Sequence, residues 1–276
     1  MMTVNDTIQK VKEELDGLPG VVGIVLGGSR ARGTNSPDSD IDIGIYYDES
    51  KGFNTNDIDR TALNLNDVKK DHLITSLGEW GEWINGGGWL VVHGFHVDLI
   101  FRDIKRVSKV IDDCLSGAVS IHYQTGHPHG YLNVMYMGEL AVCNILSDPE
   151  GKLSELKKKT ELYPEKLKEA MIQYFSFEAS FSFMFMEANT NKDDISYVMG
   201  HCFRSISCLN QVLFAKNEVY CINEKKAVAM IQDFPIKPTD YEKRIDDIVS
   251  LLSTDAEKTG NAVKKLKELI TETEAL

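Results

Sequence analysis

The sequence predicts an α+β chain, with a small mixed sheet flanked by helices in residues 1–130 and an all-α helical bundle in residues 131–276. Three observations carry this. Short apolar runs bounded by glycine turns cluster before residue 130, which is how strands read. After it the apolar residues recur at helical spacing. Elements segregated in this way make an α+β chain rather than a repeating βαβ one.

The elements follow in order. Residues 4–16 place Ile8, Val11 and Leu15 on one helical face, and "GLPG" at 17–20 stops that helix. Val21–Leu26 is a buried strand by composition, and Ile41–Tyr47 is the next. Asp57–Leu77 has helical character with weak phasing. "NGGGW" at 85–89 is a turn, followed by the strands "WLVVHG" and "FHVDLIF" as a hairpin. "DIKRVSKVIDDCLSG" is a helix ending at Gly117, and Ala118–Gln124 a further strand. Beyond about residue 130 strand signals fade. "YLNVMYMGELAVCNIL" reads as a helix, Pro164 starts a long one through Asn189, and Asp193–Phe214 and Asp240–Leu252 give two more. Thr254 to Glu257 has the pattern of a capping box opening the last helix.

Composition narrows the function. The chain has 276 residues and a formal net charge of -12. A protein that grips a phosphate backbone needs a basic stripe, and none is visible; "KLSELKKK" at 152–159 reads as the solvated face of a helix. This argues against a nucleic-acid partner. The most apolar stretch, Tyr174–Met186, is broken by Ser176, Glu178, Ser180 and Ser182, so no segment spans a bilayer. The charged N-terminus lacks the apolar core of a signal peptide. Cys114, Cys143, Cys202, Cys208 and Cys221 are odd in number and scattered, which suits reduced core thiols and not a disulfide framework or zinc site. A cytoplasmic protein outside the membrane is expected.

The chemistry concentrates in "GGSRARGTNSPDSDIDIGIYY". Asp40 and Asp42 lie two apart on a strand and point to one face, about 6.6 Å apart. Asp98 sits in a second apolar strand, "HVDLI". If the two strands pair, about 4.8 Å separates neighbours, and three carboxylates ring one site. Oxygen ligands of this kind suit magnesium. Upstream, Gly27 and Gly28 let the backbone approach a phosphate closely. Ser29 and the first N–H groups of a following helix can hold phosphate oxygens. Arg30 and Arg32 add positive charge.

"GGS", then "SDIDIGIYY", then "HVDLI" resembles the DNA polymerase β-like nucleotidyltransferase superfamily, whose signature is a Gly-Ser turn, an Asp-x-Asp strand and a third acidic strand. The motif covers roughly residues 21–101. The helical second half makes the chain most similar to the bacterial antibiotic nucleotidyltransferases that act on aminoglycosides and lincosamides. The resemblance implies an N-terminal nucleotidyltransferase domain and a helical substrate-binding domain. It implies transfer of a nucleoside monophosphate, AMP from ATP, to a hydroxyl of a small acceptor, with release of pyrophosphate. It also implies Asp40, Asp42 and Asp98 as catalytic residues and Mg2+ ligands, and Gly28, Ser29, Arg30, Arg32 and the helical-half Lys225 as nucleotide-binding residues. An antitoxin-like or regulatory module that modifies or binds a partner protein is the alternative.

Other residues have two readings. In relatives the base can be a glutamate from elsewhere, here Glu139 or Glu178; for Glu178 a buried ion pair with Arg204 is preferred. His122, His127 and His129 belong to a loop, read as the rim of the cleft more readily than as a metal site. Trp80, Trp83 and Trp89 fall within ten residues of one another. They either pack the domain edge or stack on a base or sugar. Glu139, Glu178, Glu187, Asp193 and Asp194 would give the helical half a negative wall that attracts an amine-bearing acceptor.

Overall fold

A computed structural model describes residues 2–70, 72–191 and 194–276. The chain forms two compact units. The first contains the residues up to Asp113 together with Ile121–Gly126 and Gly130–Glu161. The second contains Cys114–Ser120, His127–His129 and Leu162–Leu276.

In the first unit, α1 (Val4–Leu15) opens on a capping box: the Thr3 hydroxyl accepts from the Asp6 N–H, and the Asp6 carboxylate accepts from the Thr3 N–H. There follow β1 (Val21–Leu26), α2 (Gly28–Arg32), β2 (Ile41–Tyr47), α3 (Thr55–Leu65), β3 (Gly87–Val92), β4 (Phe95–Asp103) and α4 (Ile104–Leu115). A two-stranded ladder of β5 (Ile121–His122) and β6 (Tyr131–Leu132), then α5 (Val134–Val142), β7 (Asn144–Ser147) and α6 (Lys152–Lys158), complete it.

The main sheet has the order β3-β4-β2-β1-β7. Only β2 and β4 are parallel, so the sheet is mixed. Period-two alternation sets its faces. Ile41, Ile43, Ile45 and Tyr47 of β2, Val97, Leu99 and Phe101 of β4, and Leu90 and Val92 of β3 pack into one core with Val11 and Leu15 of α1 and Ile58, Ala62 and Leu65 of α3. Asp42, Asp98 and Trp89 are therefore on the opposite face. That face is covered further along β4, where the buried Arg102 makes a bidentate pair with Glu139 of α5 (2.7 Å for each hydrogen bond).

Several expectations shift. The segment Asn144–Ser147 reads in the sequence as the tail of a helix. It is instead an edge strand paired with β1, and for this reason residues 130–161 group with the sheet rather than with the helical half expected from residue 131. At four residues it is too short to show alternation. The helix before it ends at Cys143, whose carbonyl, with those of Leu140 and Ala141, accepts from the Lys157 ammonium at 2.7–3.0 Å. The 152–159 run is thus more than a solvated face: it buries Leu153 and Leu156 as well. The helix expected over 57–77 stops at Leu65, and the strand expected over 118–124 shrinks to two residues.

In the second unit, α7 (Glu165–Asn189) and α8 (Ile195–Lys216) pack as a hairpin, joined by α9 (Ala227–Ile231), α10 (Tyr241–Leu251) and α11 (Ala256–Ala275). Pro164 and Asp194 stand at the N-caps of the two long helices; Asp193 lies outside the described residues. The last helix is capped by Asp255, which accepts from the N–H groups of Glu257 and Lys258, and not by the box expected from Thr254. Among the described residues no helix is long and apolar enough to cross a membrane. All five cysteines are buried thiols outside any disulfide, in line with the sequence reading.

Lys157→Met should lower stability by about 1–3 kcal/mol, because three carbonyls lose a charged donor. Urea unfolding of the two proteins measures this, and an unchanged midpoint would show that water replaces the ammonium.

Candidate active site

The turn after β1 is tied to β2 by the Gly27 N–H, which donates to the Asp42 carbonyl at 2.8 Å. Gly28 follows with φ +61°. A Cβ placed there would fall 1.7 Å from Oδ2 of Asp42, so the turn folds directly over that carboxylate and only glycine fits. α2 begins at this glycine, and the first N–H groups of a helix have no intrahelical acceptor. Ser29 lies in the same turn. The geometry gives a backbone cradle against a carboxylate.

Arg30 has a different place from the one its sequence position suggests. Its Nε donates to the Asp40 carbonyl at 3.0 Å and its Nη2 to the carbonyls of Pro37 (3.5 Å) and Ser39. The guanidinium thereby pins the loop that delivers Asp40 to the start of β2. Arg32 ends the same short helix, and both arginines act electrostatically on Asp42.

The parallel register of β2 and β4 pairs Asp42 directly with Asp98. Both are half-buried, and Asp40 is exposed just before the strand. Among the described residues no donor is hydrogen-bonded to any of these three carboxylates. At a distance, the two arginines oppose the charge of Asp42 and His96 that of Asp98. Burial, then Asp42, then Asp40 push the Asp98 carboxyl up to about 6. Burial and Asp40 likewise raise Asp42, opposed by Arg32 and Arg30. In the placement of these side chains no three His, Cys, Asp or Glu groups among the described residues are gathered closely enough to hold a metal ion. The donor chemistry nevertheless fits a hard divalent cation: carboxylate oxygens on adjacent strands, with Asp42 and Asp40 raising the proton affinity of Asp98, beside a glycine cradle.

The remaining candidates separate. Glu139 is committed to Arg102 and also accepts from the Tyr131 hydroxyl at 3.0 Å. Glu178 is ion-paired with Arg204, as expected for a carboxylate on an apolar helix. Glu187 pairs with Lys267 at 3.3 Å, and Asp194 caps α8, so the negative wall expected of the helical half is largely neutralised locally. Lys225 belongs to the second unit, is exposed, and its N–H closes a turn onto Asn223 at 2.8 Å.

The three loop histidines do not converge. His122 stacks on Trp83 (4.1 Å between centroids), Nδ1 of His127 is 2.9 Å from Glu224, and Nε2 of His129 is 3.6 Å from the Cys208 sulfur.

The tryptophans split as well. Trp83 is buried among His122, Tyr131 and Tyr136, with the Arg106 guanidinium 4.5 Å from its centroid. Trp89 is exposed and stacks on Trp80. Its register has a local signal in the sequence: His93 and Gly94, both with positive φ, form a two-residue hairpin turn, which sets Trp89 opposite Asp98.

Residues 8–120 match the family model described as "Nucleotidyltransferase domain", a span that contains the glycine turn and all three carboxylates. Residues 8–120 thus carry a nucleotidyltransferase domain. Residues 134–225 match a second family model, described as "Domain of unknown function (DUF4037)". No curated protein matches. Similar solved structures include a nucleotidyltransferase-like protein from Exiguobacterium sibiricum, at 11% identity and TM-score 0.49, covering 99% of this chain and 77% of that one. They also include an aminoglycoside 6-adenyltransferase from Bacillus subtilis, at 8% identity and TM-score 0.34, covering 100% and 90%.

The raised Asp98 carboxyl predicts an inverted pH dependence of stability. Its folded pKa of about 6 exceeds the unfolded value near 3.8, so the folded state holds the proton more tightly. Stability falls as pH rises from about 4 to 6, and the penalty is complete above that. In metal-free buffer, Asp98→Asn should match the wild type near pH 4. At pH 8 it should be more stable by on the order of 1 kcal/mol, after allowance for solvent screening. Thermal unfolding at the two pH values checks the crossover.

Proposed function

We propose that the protein transfers a nucleoside monophosphate, AMP from ATP, to a hydroxyl of a small acceptor in the cytoplasm, with Asp40, Asp42 and Asp98 as Mg2+ ligands. The observation that carries this reading is the pairing of Asp42 with Asp98 on adjacent parallel strands beneath the Gly28 turn. The five cysteines, none of them in a disulfide, suit a reducing compartment.

In this reading the β- and γ-phosphates lie on the Gly28–Ser29 turn, whose backbone N–H groups and serine hydroxyl donate to them. Arg32 adds positive charge, and Arg30 acts through the loop it pins. Mg2+ held by the three carboxylates would neutralise phosphate charge and offset their mutual repulsion. Asp98 is also the candidate to take the acceptor's proton. The acceptor oxygen forms a bond to the α-phosphorus, the bond from that phosphorus to the β-phosphate bridge breaks, and pyrophosphate leaves.

The net charge of -12 favours an amine-bearing acceptor, as antibiotic-like chemistry would require. The charge acts at long range, because Glu178 and Glu187 of the helical half are each ion-paired.

The test is pyrophosphate release with ATP, GTP, CTP and UTP against a panel of aminoglycosides and small alcohols. Asp42→Asn should fold and lose about a hundredfold or more in turnover. Near wild-type turnover would reject the carboxylate assignment. With an active acceptor, KM should rise with ionic strength from about 0.01 to 0.15 M as screening shortens to about 8 Å. A flat response would remove the cationic acceptor and leave the transfer chemistry intact.

A further inference from the structure

Directly paired residues on neighbouring strands carry their side chains on the same face. Trp89 of β3 pairs with Asp98, Asp98 pairs with Asp42, and Asp42 bonds to Gly27. A strip thus crosses the sheet in the order Gly27, Asp42, Asp98, Trp89, on the face away from the core. Strands lie about 4.8 Å apart, so Trp89 rises about 5 Å beyond Asp98 and about 10 Å beyond Asp42.

Trp89 is 67% exposed, whereas Trp83 is 6% exposed. An indole of this size is ordinarily buried. Trp89 is nevertheless held in place, stacked on Trp80 with centroids 4.6 Å apart and planes at 29°. Trp80 is fixed in turn: its N–H donates to the Asn85 carbonyl at 3.2 Å, and its own carbonyl accepts from Nε2 of Gln124 at 2.5 Å. Its ring lies over Gly87, where a Cβ would come 2.9 Å from a ring carbon. The other two glycines of "NGGGW" make room for residues 73–76: a Cβ on Gly86 would meet Thr75 and Ser76, and one on Gly88 would meet Leu73 and Ile74. The local sequence therefore builds a rigid pair of indoles with one of them facing water.

In-line displacement at the α-phosphorus brings the nucleophile from the side opposite the leaving pyrophosphate. With pyrophosphate on the Gly28–Ser29 turn at one end of the strip, the attacking hydroxyl approaches from the other end. The nucleoside is attached through an equatorial oxygen and leads away from this axis. We propose that the Trp80–Trp89 stack is the acceptor platform, taking a ring of the acceptor against the exposed indole so that a hydroxyl on that ring is presented beside Asp98. This rests on the nucleotidyl-transfer reading and names the acceptor's shape: a ring with an apolar face, such as a cyclic amino sugar, in preference to an open-chain alcohol.

The experiment uses full-length wild type, Trp89→Ala and Trp89→Phe, each with Mg2+ and α,β-methylene-ATP, and reads binding rather than turnover. The probes are methyl α-D-glucosaminide and 2-amino-1,3-propanediol, which share an amine and hydroxyls and differ in the ring. Wild type should bind the ring probe at least about tenfold tighter, the scale of one stacking contact. Trp89→Ala should erase that preference, Trp89→Phe should keep part of it, and nucleotide affinity should stay within about twofold in both variants. Absence of a ring preference in wild type, or its survival in Trp89→Ala, overturns the proposal. A tenfold loss of nucleotide affinity in Trp89→Ala also overturns it, by assigning the platform to the base. Pyrophosphate release by Asp42→Asn tests the chemistry separately, so the two readings can fail independently.

Discussion

Asp42 and Asp98 are like charges held side by side on neighbouring strands, half out of water, with no hydrogen-bond donor among the described residues to neutralise them. Such an arrangement opposes folding. It persists because the parallel register of β2 and β4 is fixed on the other face by Ile41, Ile43 and Ile45 against Val97, Leu99 and Phe101. A one-residue slip of either strand would turn its apolar residues out of the core. The hydrophobic alternation thus holds the carboxylates in a position that their own electrostatics resists.

The surrounding structure answers to that constraint. Gly28 is required because Asp42 occupies the space a side chain would need. Arg30 uses its guanidinium on backbone carbonyls and so fixes the approach of Asp40, contributing position as well as charge. Further along β4 the same face is closed by the Arg102–Glu139 pair, whose two hydrogen bonds and extra donor from Tyr131 satisfy a buried charge that would otherwise be costly. One face therefore carries both a satisfied ion pair, which is structural, and an unsatisfied carboxylate row. The unsatisfied row is the part with chemistry left to do.

The strip from Gly27 to Trp89 has a direction. Its glycine end presents backbone donors suited to phosphate oxygens, its middle presents carboxylates, and its far end presents an exposed indole. Backbone N–H groups, carboxylates and an exposed apolar ring follow one another across adjacent strands. The spacing is set by the sheet and needs no loop to adjust it.

Much of this is legible in the sequence because it depends on local rules. Short apolar runs between glycine turns locate β1, β2, β3 and β4, and the "GGS" and Asp-x-Asp spacing locates the turn and two carboxylates. The His93-Gly94 turn sets the register of Trp89 against Asp98 by hairpin geometry alone. Other features depend on distant residues. β7 is a strand because β1 offers it an edge, and α5 ends at Cys143 in part because Lys157 reaches its carbonyls. Glu139 is a structural partner because Arg102, 37 residues earlier, needs one. Arg30 turns toward the Asp40 loop for a similar reason: a guanidinium can bind those carbonyls only once the loop has folded around it. Charge, alternation and tight turns act within a few bonds, so they belong to the chain itself. Which of its charges are paired and which stay open is settled only on folding, because pairing is a property of neighbours that the unfolded chain keeps apart.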